Sequence, residues 1–300
     1  MADITRRRTG ELLRALFEIL LQHPDGMPAA EALKALEQKA PPTPFEQSTF
    51  ESGARRYEKI VRWSTVDCVK AGWLVKAHGR WTITDEGRAV HAQLTDPEAF
   101  YKRAVQLYHE WRKKTPVTTG PLPATTEETA EETSEKSASI TFDQAEEQAW
   151  SEIERHVTTM DPYDFQELVA ALLRGMGYHI GWVAPKGKDG GIDVIAFNDP
   201  LGTRPPRIKV QVKRQQQKVA VDGLRSFMAV LASDDAGIFV NTGGFTDDAK
   251  IEARTQHSRR VTLLDLERLV DLWTEHYAKL DETARRRLPL QPIYFLAPEG

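Results

Sequence analysis

The chain has 300 residues, 40% of them hydrophobic and 28% charged, with a formal net charge of -4. That length suits two cores better than one, since domains run to about 100–200 residues, and the composition is that of a soluble globular protein. No apolar run approaches the roughly 20 residues of a membrane span; Cys68, the one cysteine, excludes an internal disulfide and a cysteine-cluster zinc site, so a reducing, cytoplasmic location is expected.

"MADITRRRTGELLRALFEILLQH" sets three arginines before an apolar stretch, but charges interrupt that stretch at helical spacing, which is not a signal-peptide pattern. Leu12, Leu13, Leu16, Ile19 and Leu20 instead mark an amphipathic helix ended by "HPDG". "PAAEALKAL" predicts a second helix, stopped by "PPTP", and a third covers about Arg55 to Ala71 with Gly72 as its stop. "WLVKAHGRWTIT" reads as two strands around His78-Gly79, and "DEGRAVHAQL" returns to helix. Three helices and a β-hairpin predict a winged helix-turn-helix over residues 1–114. Residues 1–116 carry 19 Lys+Arg against 15 Asp+Glu, a mildly basic balance. Winged helices lay the third helix in the major groove, so Arg55, Arg56, Lys59, Arg62 and Lys70 on it, and Arg80 on the hairpin, are candidate DNA contacts. The competing reading of each is an ordinary solvated charge.

"TPVTTGPLPATTEETAEETSEKSAS" follows, almost free of large apolar side chains. Residues 117–150 hold 1 Lys+Arg against 8 Asp+Glu. Such a segment buries too little to offset its ordering entropy, so residues 115–145 are expected to be an acidic flexible linker.

A second domain is expected over residues 146–280, with 281–300 as a C-terminal tail. "DPYDFQELVAALLRGMGY" places Phe165, Leu168, Val169, Leu172, Leu173 and Met176 on one helical stripe. Strands follow at Asp193–Phe197 and Ile208–Lys213, then a helix from about Asp222 to Ser233, the strand "AGIFVNT", a loop and helix in "GGFTDDAKIEAR", the strand "RVTLLD" and a helix in "LERLVDLWTEHY". An almost continuously apolar strand implies an interior position with helices on both faces, hence an α/β/α sandwich with a mixed sheet and an α+β multidomain chain overall.

Strand alternation puts Gln211 and Lys213 on one face while Val210 and Val212 enter the core. A Lys-Gln-Lys face is often simply solvated. Here, however, Asp193 heads the preceding strand behind two glycines, and a hairpin-like return brings it beside Gln211. A carboxylate, an amide carbonyl and the backbone carbonyl of Val212 are hard oxygen ligands suited to Mg2+, with Mn2+ as a substitute. Lys213 would position water or stabilise negative charge at phosphorus.

These residues resemble a known family. "GYHIGWVAPKGKDGGIDVIAF", "VQVKR" and "NTGGFTDDA" are similar to the Mrr-type catalytic domain of restriction endonucleases, a branch of the PD-(D/E)xK nucleases, over about Asp161 to Trp273. "VRWSTVDCVKAGWLVKAHGRWTITDEG" resembles the Mrr N-terminal winged helix. The resemblance implies that Asp193 is the metal-binding acid, Gln211 the residue at the (D/E) position and Lys213 the catalytic lysine. It also implies a first-helix acid, for which "FQELV" offers Gln166 and Glu167. Lys186 and Lys188 in "PKGKDGG" are further candidates for phosphate contact, or plain loop lysines. The implied activity is type IV restriction, the Mg2+-dependent cleavage of double-stranded DNA carrying modified bases, by a homodimer or higher even assembly. Two alternatives stay open: a repair or junction-processing nuclease on the same scaffold, and a DNA-binding regulator without catalysis.

Overall fold

The computed structural model describes residues 5–50, 55–114, 127–187, 190–256 and 259–295, and of residues 127–135 the backbone alone. Two compact units are present, one of residues 1–151 with 294–300, the other of residues 152–293.

In the first unit, α1 (Arg6–Leu20) starts where the Thr5 hydroxyl accepts the Arg8 N–H at 3.1 Å, satisfying a first-turn donor that has no partner within the helix. Its buried stripe, Leu12, Leu13, Leu16, Phe17 and Leu20, packs against α6 (Pro97–Lys114). Between them in sequence come β1 (Met27–Pro28), α2 (Ala29–Lys39), the short α3 (Pro44–Gln47), α4 (Arg56–Lys70), β2 (Leu74–Ala77), β3 (Arg80–Ile83) and α5 (Asp85–Gln93). The strands form an antiparallel sheet in the order β1-β3-β2. His78 (φ 52) and Gly79 (φ 67) make the β2–β3 turn, both in the left-handed region that a two-residue hairpin demands. Tyr57, Val61, Cys68, Trp73, Trp81 and Phe100 are buried around α1. Each large side chain among them contributes about 1.5–3 kcal/mol on leaving water.

The sequence gives no expectation of α6. Its buried residues are Phe100, Ala104 and Tyr108, a thin stripe at four-residue spacing inside a charged segment. The expected linker is also corrected. α7 (Glu127–Thr159) is helical through most of it, while residues 115–126 of that span lie outside the described residues. Glu and Ala favour helix, and from Lys136 onward pairing adds to propensity: Lys136 meets Asp67 at 2.6 Å and Asp143 meets Lys76 at 2.6 Å. Ile140 and Trp150 are buried as well.

In the second unit, α8 (Pro162–Gly175) opens at Asp161, whose carboxylate accepts the Tyr163 N–H at 2.9 Å. Five strands follow in the spatial order β4-β5-β6-β7-β8: β4 (His179–Val183), β5 (Val194–Phe197), β6 (Arg207–Lys213), β7 (Asp235–Asn241) and β8 (Arg260–Leu264). The sheet is mixed, since β4–β5 and β5–β6 pair antiparallel and β6–β7 and β7–β8 parallel. β7 is interior, as its apolar run predicts. α9 (Val221–Ala229) and α10 (Asp247–Thr255) pack by β7 and β8, where Phe227 and Phe239 bring their ring centroids within 5.1 Å. α8 packs on β4, β5 and β6 with Phe165, Leu168, Val169 and Leu172 buried, and α11 (Leu266–His276) packs on α8.

The expected tail boundary at residue 281 is corrected too. α12 (Glu282–Arg287) contacts α8, and the Trp273 indole N–H donates to the Leu288 carbonyl at 3.2 Å with both side chains buried. That segment completes the second unit. Among the described residues, no helix is long and apolar enough to cross a membrane.

Candidate active site

Two glycines in the left-handed region, Gly190 (φ 61) and Gly191 (φ 83), turn the chain into Asp193 just before β5. Asp193 is buried, and its backbone and carboxylate are both held by hydrogen bonds. Its N–H donates to the Val210 carbonyl at 2.8 Å, its carbonyl accepts the Ala184 N–H at 2.8 Å, and its carboxylate Oδ2 accepts the Val212 N–H at 2.7 Å. Asp193 therefore bonds the two residues that flank Gln211. A Cβ placed on Gly191 would lie 3.7 Å from Gln211 Nε2, so this amide sits against the glycine turn.

Gln211 and Lys213 share a face of β6, both half-buried. Lys213 Nζ stands 5.5 Å from the centroid of the buried Phe239 ring. Among the described residues no carboxylate forms an ion pair with Lys213, which leaves its charge available to a phosphate.

The end of β6 is clamped by Asn241 and Thr242, which the sequence presents as the polar end of the strand "AGIFVNT". Asn241, paired in register with Lys213, is fully buried and donates to the Gln217 carbonyl at 3.1 Å and the Gly244 carbonyl at 2.6 Å. Thr242 donates its N–H to the Lys213 carbonyl at 3.2 Å, and its hydroxyl bonds both the N–H and the carbonyl of Gln215. Arg214 ties to the Thr158 carbonyl. A polar residue straight after an apolar strand, as in "VNTGG", is the signal that points to such a clamp.

The two first-helix candidates separate. Gln166 is buried and donates Nε2 to the Ala184 carbonyl at 2.8 Å, which links α8 through Ala184 to Asp193. Glu167 is partly exposed and lines a cleft of 560 Å³ with Asp161, Tyr163, Asp164, Gln166, Ala184, Pro185 and Lys186. Asp193, Gln211 and Lys213 do not line that cleft. Lys186 is exposed beside it, Nζ 5.1 Å from the Tyr163 ring centroid, and Lys188 lies outside the described residues.

Among the described residues no three His, Cys, Asp or Glu side chains converge on one point. A divalent ion here would rest on one carboxylate, the Gln211 amide oxygen and the Val212 carbonyl. That all-oxygen donor set fits Mg2+, which binds through one or two carboxylates, retains waters and takes further ligands from a phosphate.

The basic residues of α4 and the hairpin do not form one free surface. Arg55 is exposed and ion-paired with Glu37. Arg56 lies over the rings of Phe45 and Phe50, at 5.1 and 4.4 Å, and Lys59 over Phe50 at 4.5 Å. Lys70 caps the Trp111 ring at 3.9 Å, and Arg80 donates to the Gly26 carbonyl at 2.7 Å. Arg62 departs most from a solvated contact residue. It is buried, bonded to Glu58 at 2.8 Å and to both carboxylate oxygens of Glu147 at 2.9 and 2.7 Å. Burial opposes its charge, but the two glutamates prevail and hold its pKa above the usual guanidinium value.

Residues 157–273 match the family model for the Mrr catalytic domain, described as a restriction endonuclease. Among solved structures the chain is similar to the MspJI restriction endonuclease in complex with a 27-mer oligonucleotide, at 16% identity and a TM-score of 0.29, covering 69% of this chain and 47% of that one. The chain thus spans about half the length of the solved protein that it matches. No curated protein matches it.

Proposed function

We propose that this chain, whose residues 157–273 carry a restriction-endonuclease domain, is an Mrr-type DNA endonuclease that hydrolyses phosphodiesters in double-stranded DNA bearing modified bases. The observation that supports this reading is the junction of β5 and β6. There a buried carboxylate at Asp193 is bonded to the residues on either side of Gln211, on the strand that also carries Lys213.

In this reading Asp193, the Gln211 amide oxygen and the Val212 carbonyl hold Mg2+, which when bound polarises the phosphate and lowers the pKa of a water. Lys213 places its ammonium against the developing negative charge. Gln166 anchors the backbone beside Asp193, and Glu167 faces the neighbouring cleft, where phosphodiester groups flanking the scissile one lie. Lys186, at the rim, contacts phosphate without reading sequence. The first unit serves as a winged helix that selects the modified substrate, and two copies of the second unit supply the two cuts of a duplex.

The decisive experiment incubates methylated and unmethylated plasmid with the wild-type chain and with Asp193→Ala, in Mg2+ and in EDTA. Cutting of methylated plasmid by wild type in Mg2+ alone is expected. Metal-independent cutting, or equal cutting by Asp193→Ala, overturns the assignment.

A further inference from the structure

Between Asp143 and Trp150, α7 lies along the surface presented by α4 and the β2–β3 hairpin, and it does so with carboxylates. Asp143, Glu146 and Glu147 fall at i, i+3 and i+4 and so share one helix face. Asp143 pairs with Lys76 Nζ at 2.6 Å, and Glu146 accepts the backbone N–H of His78, at the hairpin tip, at 3.2 Å. Glu147 takes the Arg62 guanidinium and also accepts the Trp81 indole N–H at 3.2 Å. Cations and a main-chain N–H are the groups that proteins commonly aim at DNA phosphates.

Apolar contacts flank these bonds: Ile140 is buried in a cluster with Val66 and Tyr108, and Trp150 is buried with its ring centroid 4.9 Å from that of His78, whereas Phe142 is 40% exposed. Residues 127–150 together carry eight Asp and Glu against one Lys. The charged part of this contact is one for which a polyanion can compete, because each carboxylate has a phosphate equivalent. Burial also holds the Lys76 ammonium below its ordinary pKa, with Asp143 offsetting only part of that cost, so this lysine is poorly solvated while α7 is docked.

We propose that the face formed by α4 and the β2–β3 hairpin is a DNA-backbone surface that α7 occupies in cis. Asp143, Glu146 and Glu147 stand where phosphate oxygens bind, and a duplex engages the first unit by displacing residues 136–150. This rests on the reading of the first unit as DNA-binding. The Lys136–Asp67 pair is the pin that resists opening: both side chains are buried, and Lys136 also lies 4.3 Å from the Tyr108 ring centroid. Separating a buried pair is costly, so one stray phosphate does not open the helix, whereas a duplex offering several at once does.

The test compares the full wild-type chain with D143N/E146Q/E147Q in binding a labelled duplex by fluorescence anisotropy. The variant lacks the internal competitor and is expected to bind about tenfold more tightly, within the usual range of coupling between linked sites. Equal or weaker binding by the folded variant overturns the proposal and leaves DNA binding itself standing. Binding by neither form removes the DNA-binding reading and this inference with it. Hydrogen exchange on the wild type decides the matter if the variant does not fold. Saturating duplex is expected to speed exchange of amides 136–150, and unchanged or slower exchange there overturns the proposal.

Discussion

The Asp193 carboxylate and the Val212 amide are joined by a 2.7 Å hydrogen bond, so the acid at the head of β5 is oriented by the backbone of the strand that carries Gln211 and Lys213. Asp193→Asn keeps an oxygen that can accept this bond but loses the charge. Asp193→Ala loses both. Thermal melts should therefore place the Asn variant near wild type and the Ala variant lower by about 1–3 kcal/mol, the cost of an unsatisfied buried N–H. Plasmid cutting should vanish in both.

Lys213 forms no ion pair among the described residues, so its removal should cost chemistry rather than stability. Lys213→Met is expected to lower the single-turnover cleavage rate by about 10²–10³-fold, as for loss of one charge-stabilising donor. Its melting temperature and its affinity for duplex should stay close to wild type. A parallel fall in melting temperature would assign Lys213 a packing role.

Gln166 bears on how the first-helix position is used. Its amide donates to the Ala184 carbonyl in a buried setting. Gln166→Ala removes that donor and should destabilise the second unit by about 1–3 kcal/mol in urea denaturation. Gln166→Glu sets a carboxylate against the carbonyl and should cost more. If calorimetry instead shows tighter Mn2+ binding by Gln166→Glu at unchanged stability, position 166 is a metal ligand and not a brace.

Much of this architecture is legible in the sequence, and the gaps have physical causes. α1, α8, β5, β6 and β7 announce themselves because burying one face, or both, imposes a period on apolar residues. β4 does not: as an edge strand it has no fully buried residue, so "HIGWV" lacks the alternation of a half-buried strand. α7 is held to the first unit by ion pairs as well as by the sparse apolar residues Ile140 and Trp150, and hydropathy cannot distinguish a paired glutamate from a solvated one. For the same reason Arg62 reads as a surface cation on α4, although Glu58 and Glu147 enclose it. Within the candidate site, Asp193, Gln211 and Lys213 are visible as a pattern. Asn241 and Thr242 show only as a polar end to an apolar strand, because their partners are backbone atoms whose nearness depends on the closed sheet.

Acid should weaken the second unit through Asp235. This buried carboxylate bonds Arg207 at 2.9 Å, Lys209 at 2.8 Å and the Ala232 N–H at 2.8 Å. Burial favours its neutral form, but those three donors prevail and hold its pKa below the ordinary carboxyl value. A depressed folded-state pKa gives stability that is complete above the unfolded value, about 3.9, and that is lost as pH falls through the folded one. Asp235→Asn should therefore lower stability at neutral pH and flatten its fall at acid pH, as followed by urea midpoints across a pH series.

The single thiol of the chain lies in the core of the first unit, on α4, and burial raises its pKa. Maleimide dyes react with exposed thiolate, so native Cys68 will stay silent under labelling. Cysteines placed at two chosen surface positions can then carry a donor and an acceptor without a cysteine-free background, and the distance between fluorophores becomes readable in the otherwise unaltered protein.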